Sequence, residues 1–246
     1  MKKATRHLAI MGLLVGGCAQ EADEPAPDFT VGQGRAPGAA TAYASGPYGI
    51  GVGSTIADIG FVGFGNPSIT SDPEDAGSVR LGDFYNPTGY DEDGGELFPE
   101  DSAFGDYVEK PLALLVITSA SWCGPCRNEA QGILPVNHEE YRPLGGEYLL
   151  ALQQGWTGAP ATMVDVEEWA TDFSLDYPAV SDPQTKLFQY TGVGAFPGIM
   201  LLRTTDMKIV AINIGALTPT YPEAIAMWDN FEKILAGDPV LPEDFD

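Results

Sequence analysis

The strongest constraint on the fold is an apolar segment followed by two cysteines. Residues 112–118 (LALLVIT) are an unbroken apolar run, and Trp122-Cys123-Gly124-Pro125-Cys126 follows it closely. Such a run is typical of a central strand that is covered on both faces. Proline suits the first turn of a helix, so we expect a helix to start at Cys123. The sequence therefore predicts a buried strand that leads directly into a helix carrying paired thiols.

The order of the other predicted elements indicates an α/β domain with a mixed sheet. Apolar patterns predict strands at 147–153, 177–180, 199–202 and 209–214, and helices at 162–175, 183–190 and 221–235. The last two strands, separated by residues 204–208, are expected to form an antiparallel hairpin. Upstream, residues 49–65 predict a short hairpin or paired edge strands and residues 78–85 a short strand. The acidic, glycine-rich stretch 86–106 predicts a solvated loop, since its spacing does not match a calcium-binding loop.

The N-terminus has the pattern of a secretory leader. Lys2, Lys3 and Arg6 precede an apolar stretch at 8–17, which is too short to span a bilayer. The tetrad Val15-Gly16-Gly17-Cys18 resembles the bacterial lipobox, which implies a lipoprotein signal peptide at 1–17 and acylation of Cys18. Acyl chains would then hold the protein at a membrane surface. The alternative is an ordinary leader that is cleaved nearby and leaves a free thiol.

Composition divides the remainder of the chain into a tether and one domain. Residues 18–47 are rich in Ala, Gly and Pro and show no periodic apolar face, so they predict a flexible tether. Residues 48–240 are long enough for one domain with a substantial core. Within them, residues 48–110 are expected to form an N-terminal β extension.

The charge balance limits the partners. The chain has 12 basic and 35 acidic residues, a formal net charge of −23. Such a surface repels nucleic acid and anionic lipid headgroups. We therefore expect no nucleic-acid role, and contact with the membrane through lipid alone.

The paired cysteines predict redox chemistry. The chain has three cysteines, and a separate role for Cys18 leaves Cys123 and Cys126 to pair. Two intervening residues place both sulfurs on one face of a first helical turn, within reach of a disulfide. Unpaired N–H groups at the helix start favour a thiolate at Cys123, the expected nucleophile, and Cys126 would then resolve the mixed disulfide. We expect Gly124 and Pro125 to form a compact turn and the apolar ring of Trp122 to lie beside the sulfurs.

The motif Trp-Cys-Gly-Pro-Cys after an apolar strand resembles the thioredoxin superfamily. A second segment, residues 192–197 (GVGAFP) followed by apolar residues 199–202, is similar to the part of that family that carries a cis-proline facing the cysteines. The resemblance implies that Pro197 is cis and that the backbone of Phe196 pairs with an extended substrate segment. It also implies a thioredoxin fold, a mixed central sheet flanked by helices.

The TlpA-like and ResA-like branch of membrane-attached thiol-disulfide oxidoreductases is closer still. Its active-site run is similar to Trp-Cys-x-x-Cys-Arg-x-Glu, which Arg127 and Glu129 match. The resemblance implies that Glu129 handles the proton of the buried cysteine, whereas the alternative is a solvated surface glutamate. Thioredoxin's own buried acid would fall at Ile117. The family's helix-kinking proline would fall at Gln131, so a bend is expected instead near Gly132 or Pro135.

Other chemistries fit the sequence less well. Structural zinc needs four ligands, and His138 is the one histidine outside the leader, so no metal site is expected. Haem attachment would need a histidine where Arg127 stands. A peroxiredoxin-type thiol peroxidase stays an alternative, although Ala120 takes the place of that family's hydroxyl residue. The other alternative is a non-catalytic thioredoxin-fold lipoprotein whose disulfide is only a staple.

These observations combine into one expectation about function. The chain is expected to be a lipid-anchored thiol-disulfide oxidoreductase of the bacterial envelope, facing the periplasm or another extracytoplasmic space. It would reduce or exchange disulfides in exported proteins and receive electrons from an upstream dithiol donor. The expected redox group is the Cys123–Cys126 disulfide itself, without another cofactor, in a protein that is expected to be monomeric.

Overall fold

The structure is a computed structural model that describes residues 42–90, 94–100, 102–105, 108–191 and 195–240. The predicted signal peptide, Cys18 and most of the predicted tether lie outside these residues, as do residues 192–194 of the second motif. The end of the predicted tether is described, and it packs on the domain. The Tyr43 hydroxyl donates to the carbonyl of Ile56 at 2.9 Å, and Ala44 is buried. The packed part of the chain thus includes residues before 48.

In the part of the chain that the structure describes, seven strands form one mixed sheet in the order β2-β1-β5-β4-β3-β6-β7. The strands are β1 Gly60–Phe64, β2 Gly77–Arg80, β3 Ala113–Ala120, β4 Gly146–Gln154, β5 Ala179–Ser181, β6 Gly198–Arg203 and β7 Lys208–Ile214. Strands β3, β4 and β5 are mutually parallel, and the remaining neighbours pair antiparallel. The predicted mixed sheet and the predicted β6–β7 hairpin are confirmed.

Within the described residues, five α-helices accompany the sheet: α1 Gly124–Gly132, α2 Leu134–Tyr141, α3 Met163–Phe173, α4 Phe188–Thr191 and α5 Pro222–Leu235. The break between α1 and α2 at Ile133 confirms the predicted bend near Gly132. Helix α4 is shorter than the predicted segment 183–190. No helix in the described ranges is long and apolar enough to cross a bilayer.

Strand β3 lies between two apolar layers, and all of its residues are buried. Because side chains alternate along a strand, Leu115 and Ile117 face one layer and Leu114 and Val116 the other. The first layer is completed by α1, α2, α3 and α5, and it contains both Cys123 and Cys126. The disulfide therefore lies against the buried central part of the sheet.

The N-terminal extension covers the second face of the sheet. Ile56, Leu81 and Phe84 of the extension are fully buried against Leu114 and Val116. Of the predicted hairpin at 49–65, only its second half forms a strand. That strand, β1, lies between β2 and β5 rather than at an edge.

The prediction of a solvated loop at 86–106 is wrong for its aromatic residues. Phe98 and Phe104 are buried and stack with their ring centroids 4.1 Å apart. Both rings also contact Phe84, at 5.9 Å and 5.1 Å. The acidic composition of this stretch gave no sign that Phe98 and Phe104 are buried. Both rings pack on the second face of the sheet, where they are removed from water.

Candidate active site

Cys123 and Cys126 form a disulfide at the N-terminus of α1, with their Cα atoms 5.3 Å apart. Cys123 is the N-cap residue, and its sulfur accepts a hydrogen bond from the backbone N–H of Cys126 at 3.2 Å. The turn before the helix is fixed by the N–H of Cys123, which donates to the carbonyl of Ala120 at 3.0 Å. The sulfur of Cys123 thus lies where a helix N-terminus stabilises negative charge.

Both cysteines are largely covered. Cys123 keeps 3% of its surface exposed and Cys126 1%, so burial alone does not separate their roles. Their positions in the helix differ, because Cys123 is the N-cap residue and Cys126 lies within the first turn. Gly124 and Pro125, between them, are exposed and border the disulfide.

Aromatic rings border the disulfide on the solvent side. Trp122 is 49% exposed, and its indole N–H donates to the side-chain oxygen of Gln154 at 2.9 Å. Its ring meets that of Phe196 edge to face at 5.9 Å, and Phe196 packs against the apolar layer that holds both cysteines. The structure therefore brings Trp122, Phe196 and the two cysteines to one place.

Pro197 enters β6 next to this site, and the peptide bond between Phe196 and Pro197 is cis, as the resemblance implied. The hydroxyl of Thr118 accepts from the N–H of Gly198 at 3.1 Å and donates to its carbonyl at 2.9 Å. A Cβ atom on Gly198 would lie 2.7 Å from Thr191 and 2.8 Å from the Thr118 hydroxyl. Only glycine fits there, and Thr118 holds the proline segment to the strand that precedes the cysteines.

Glu129 lies inside the protein, and the alternative of a solvated surface glutamate is therefore wrong. The side chain is 0% exposed and shares the buried face of α1 with Cys126. One carboxylate oxygen accepts from the backbone N–H of Leu217 at 2.7 Å, whereas the other has no hydrogen-bond partner. Burial raises the pKa of Glu129 to about 7, although the Leu217 hydrogen bond opposes the increase. The carboxyl group can therefore exchange a proton near neutral pH.

Solved structures resemble this one over most of its length. A protein named thiol:disulfide interchange protein DsbE from Chlorobium tepidum aligns with a TM-score of 0.50 and 16% identity, over 75% of this chain and 97% of that one. A hypothetical protein from Sinorhizobium meliloti 1021 aligns with a TM-score of 0.52 and 15% identity, over 78% and 87%. The chain has the thioredoxin fold. No protein-family model and no curated protein sequence matches it.

Arg127 does not offer a free charge to the site of this thioredoxin fold. Its guanidinium forms an ion pair with Asp172 at 3.2 Å. The same group lies 4.6 Å from the ring centroid of Trp156 and 4.9 Å from that of Phe173. Arg127 therefore links the active-site helix to α3 and to the loop after β4.

His138 occupies a second polar cluster that the sequence did not reveal. It is 1% exposed, and its ring nitrogens lie 2.8 Å from Glu147 and 3.1 Å from Asp176. Burial lowers the pKa of His138, but hydrogen bonds to Asp176 and Glu147 and their charges outweigh it, so the pKa rises to about 9. The ring is an internal cation that joins α2 to β4.

Among the described residues, no group of three or more His, Cys, Asp or Glu side chains is arranged to hold a metal ion.

Sequence reasoning missed three residues that build the site: Thr118, Gln154 and Leu217. Thr118 read as the last residue of a buried strand, and a polar residue at that point was the available signal. Gln154 ends β4, and Leu217 contributes through its backbone N–H. The Leu217 contact carries no signal in a single sequence, because a backbone donor does not depend on the residue type.

Proposed function

We propose that this protein is a thiol-disulfide oxidoreductase of the bacterial envelope that reduces or exchanges disulfides in exported proteins. The observation that carries the proposal is the Cys123–Cys126 disulfide at the N-cap of α1, with a buried carboxyl group on the same helix face. The thioredoxin fold supports it, and so does the name of the similar C. tepidum protein. The dithiol itself would be the redox group.

The reaction begins with a thiolate at Cys123 in the reduced protein. This sulfur attacks one sulfur of a client disulfide, and the other client sulfur leaves as a thiolate that takes up a proton. Cys126 then gives its proton to the Glu129 carboxylate and attacks the sulfur of Cys123. The remaining client sulfur leaves, two electrons have moved to the client, and the Cys123–Cys126 disulfide is formed. An upstream dithiol donor would reduce it again.

Glu129 suits the second step because of its environment. A group transfers protons best when its pKa is close to the working pH, and burial brings the pKa of Glu129 to about 7. Its unpartnered oxygen is free of competing hydrogen bonds. Ile117, which takes the place of thioredoxin's buried acid, is fully buried and cannot carry a proton. Glu129 is thus the base that this site offers to Cys126.

The residues around the disulfide would receive the client. Trp122, Gly124 and Pro125 present exposed surface beside the sulfurs. Phe196 precedes the cis Pro197, where an extended client segment would add to the end of the sheet by backbone hydrogen bonds.

A trapping experiment tests the proposal. The Cys126→Ser variant of the reduced protein should form mixed disulfides through Cys123 with client proteins or with a disulfide-bonded peptide, because the resolving thiol is absent. A Cys123→Ser variant is the matched control and should trap nothing. The low exposure of both cysteines is what a structural staple would also show. A staple would leave the Cys126→Ser variant without mixed disulfides, and that result would refute the proposal.

The proposed location depends on Cys18, outside the described residues. Acylation of Cys18 would hold the protein at the membrane, with residues up to about 42 as the tether and the domain as a monomer in the extracytoplasmic space. Metabolic labelling with a fatty acid should mark the wild type but not a Cys18→Ala variant, and the variant should move to the soluble fraction. Equal labelling of both proteins would contradict acylation of Cys18.

A further inference from the structure

An exposed tryptophan beside the active site is not explained by the reaction above. Trp156 is 54% exposed, in the loop between β4 and α3. Exposed tryptophan surface is unfavourable in water and is enriched where a protein binds a partner. Among the described residues, the other exposed tryptophan is Trp122, which borders the disulfide.

The loop that carries Trp156 is held in place by backbone hydrogen bonds. The N–H of Gly155 donates to the carbonyl of Ala159 at 2.9 Å, and that of Gly158 donates to the carbonyl of Gly155 at 3.0 Å. Gly158 has a φ of +79°, a conformation that favours glycine. The loop therefore presents the indole from a defined position, which reduces the entropy lost on binding.

One contact of Trp156 and one contact of its neighbour Gln154 connect this loop to the disulfide region. The guanidinium of Arg127, the residue after Cys126, stacks on the Trp156 ring at 4.6 Å. Gln154, two residues before Trp156, accepts the hydrogen bond from Trp122 at 2.9 Å. The two exposed indoles thus belong to one aromatic rim around the start of α1, which we define as Trp122, Trp156 and Phe196.

The rim is apolar and offers no unpaired cation. Asp172 neutralises Arg127, the one basic residue of α1, and the whole chain is strongly acidic. An acidic client segment would find no counter-charge and would be repelled. A large apolar side chain, in contrast, would cover indole surface that is now in contact with water.

We propose that Trp156 determines specificity by binding a large apolar side chain adjacent to the reactive cysteine of an extended client polypeptide. Arg127 is a positioning residue that holds the indole of Trp156 through its guanidinium face. This inference rests on the proposed function, because it names the class of polypeptide that the same disulfide would serve.

Kinetics with matched peptides test the inference. Three disulfide-bonded peptides would differ only in the residue beside the cysteine: leucine, serine or glutamate. The wild type should have its lowest KM for the leucine peptide, a higher KM for the serine peptide and the highest KM for the glutamate peptide. Trp156→Ala should reduce the leucine-to-serine ratio of kcat/KM about tenfold or more, the loss typical of a central aromatic contact. Trp156→Phe should retain much of the ratio.

Two further variants separate positioning from general effects. Arg127→Ala should lower the ratio in the wild-type background but have little added effect in Trp156→Ala, because Arg127 acts through Trp156. Ile225→Ala removes an exposed apolar side chain from α5 and should leave the ratio unchanged.

Equal KM values for all three peptides in the wild type, or an unchanged ratio in Trp156→Ala, would overturn this inference alone. A wild type that exchanges with none of the peptides would overturn the proposed function and this inference with it.

Discussion

Replacement of Glu129 by glutamine should change how stability depends on pH. The pKa of Glu129 rises from 4.5 to about 7 on folding, chiefly because burial disfavours its charge. Each pKa unit corresponds to about 1.4 kcal/mol, so the ionised carboxylate costs the folded state about 3 kcal/mol above pH 7. The folded protein binds the Glu129 proton more tightly than the unfolded chain does. Proton binding therefore favours the folded state fully below pH 4.5, and this stabilisation is lost as the pH rises through about 7.

The assay is urea unfolding of the oxidised protein at pH 4, 6 and 8, followed by fluorescence. The free energy of unfolding of Glu129→Gln relative to wild type should increase by about 3 kcal/mol between pH 4 and pH 8. Other titrating groups are common to both proteins and cancel in the difference. Glu168→Gln, at an exposed position on α3, is the matched control and should show no such trend. Parallel pH profiles for wild type and Glu129→Gln would refute the account of a buried, proton-exchanging carboxyl group.

Three more substitutions test the supports of the site. Because the pKa of His138 is raised from 6.5 to about 9, His138→Gln should cost about 2–3 kcal/mol in urea unfolding at pH 6 and much less at pH 10. An equal loss at both pH values would contradict a protonated ring. Thr118→Val removes both hydrogen bonds to Gly198 and should cost about 1–3 kcal/mol, whereas an unchanged unfolding midpoint would exclude this role. Gly198→Ala places a methyl group 2.7 Å from Thr191 and should cost about 1–3 kcal/mol by overpacking, which thermal unfolding would measure against Gly132→Ala, where nothing lies within 4 Å.

The sequence was sufficient where a segment carries a strong periodic pattern. Strands β3 and β4 and helices α3 and α5 were predicted within one or two residues, because long apolar runs and helical spacing have few alternative interpretations. The cysteine motif predicted the start of α1, since a proline in the first turn marks a helix start independently of tertiary structure.

The sequence-based prediction was less accurate where tertiary packing determines whether a segment forms a strand or is buried. Strand β1 contains two glycines and has little intrinsic strand preference, and its place between β2 and β5 depends on long-range pairing. Phe98 and Phe104 lie in a stretch whose charge favours solvent, yet they cover the second face of the sheet.

The candidate site also contains residues that the sequence could predict and residues whose environment depends on distant segments. The sequence indicated Cys123 and Cys126 directly, whereas Pro197 followed from the family resemblance. The sequence left open whether Glu129 is buried. Burial of Glu129 depends on the segment around Leu217, which folds over α1 from 88 residues away in the chain. Such contacts between distant segments leave no pattern in a single sequence.

The most direct test of the central claim is the pH dependence of alkylation of Cys123 in the reduced Cys126→Ser variant. If the N-terminus of α1 stabilises the thiolate, the pKa of the Cys123 thiol should be lowered, and the rate with iodoacetamide should rise at a lower pH than that of an unperturbed thiol. A pKa at or above about 8.5, the value of an unperturbed thiol, or a cysteine that does not react in the folded protein, would contradict a working redox centre.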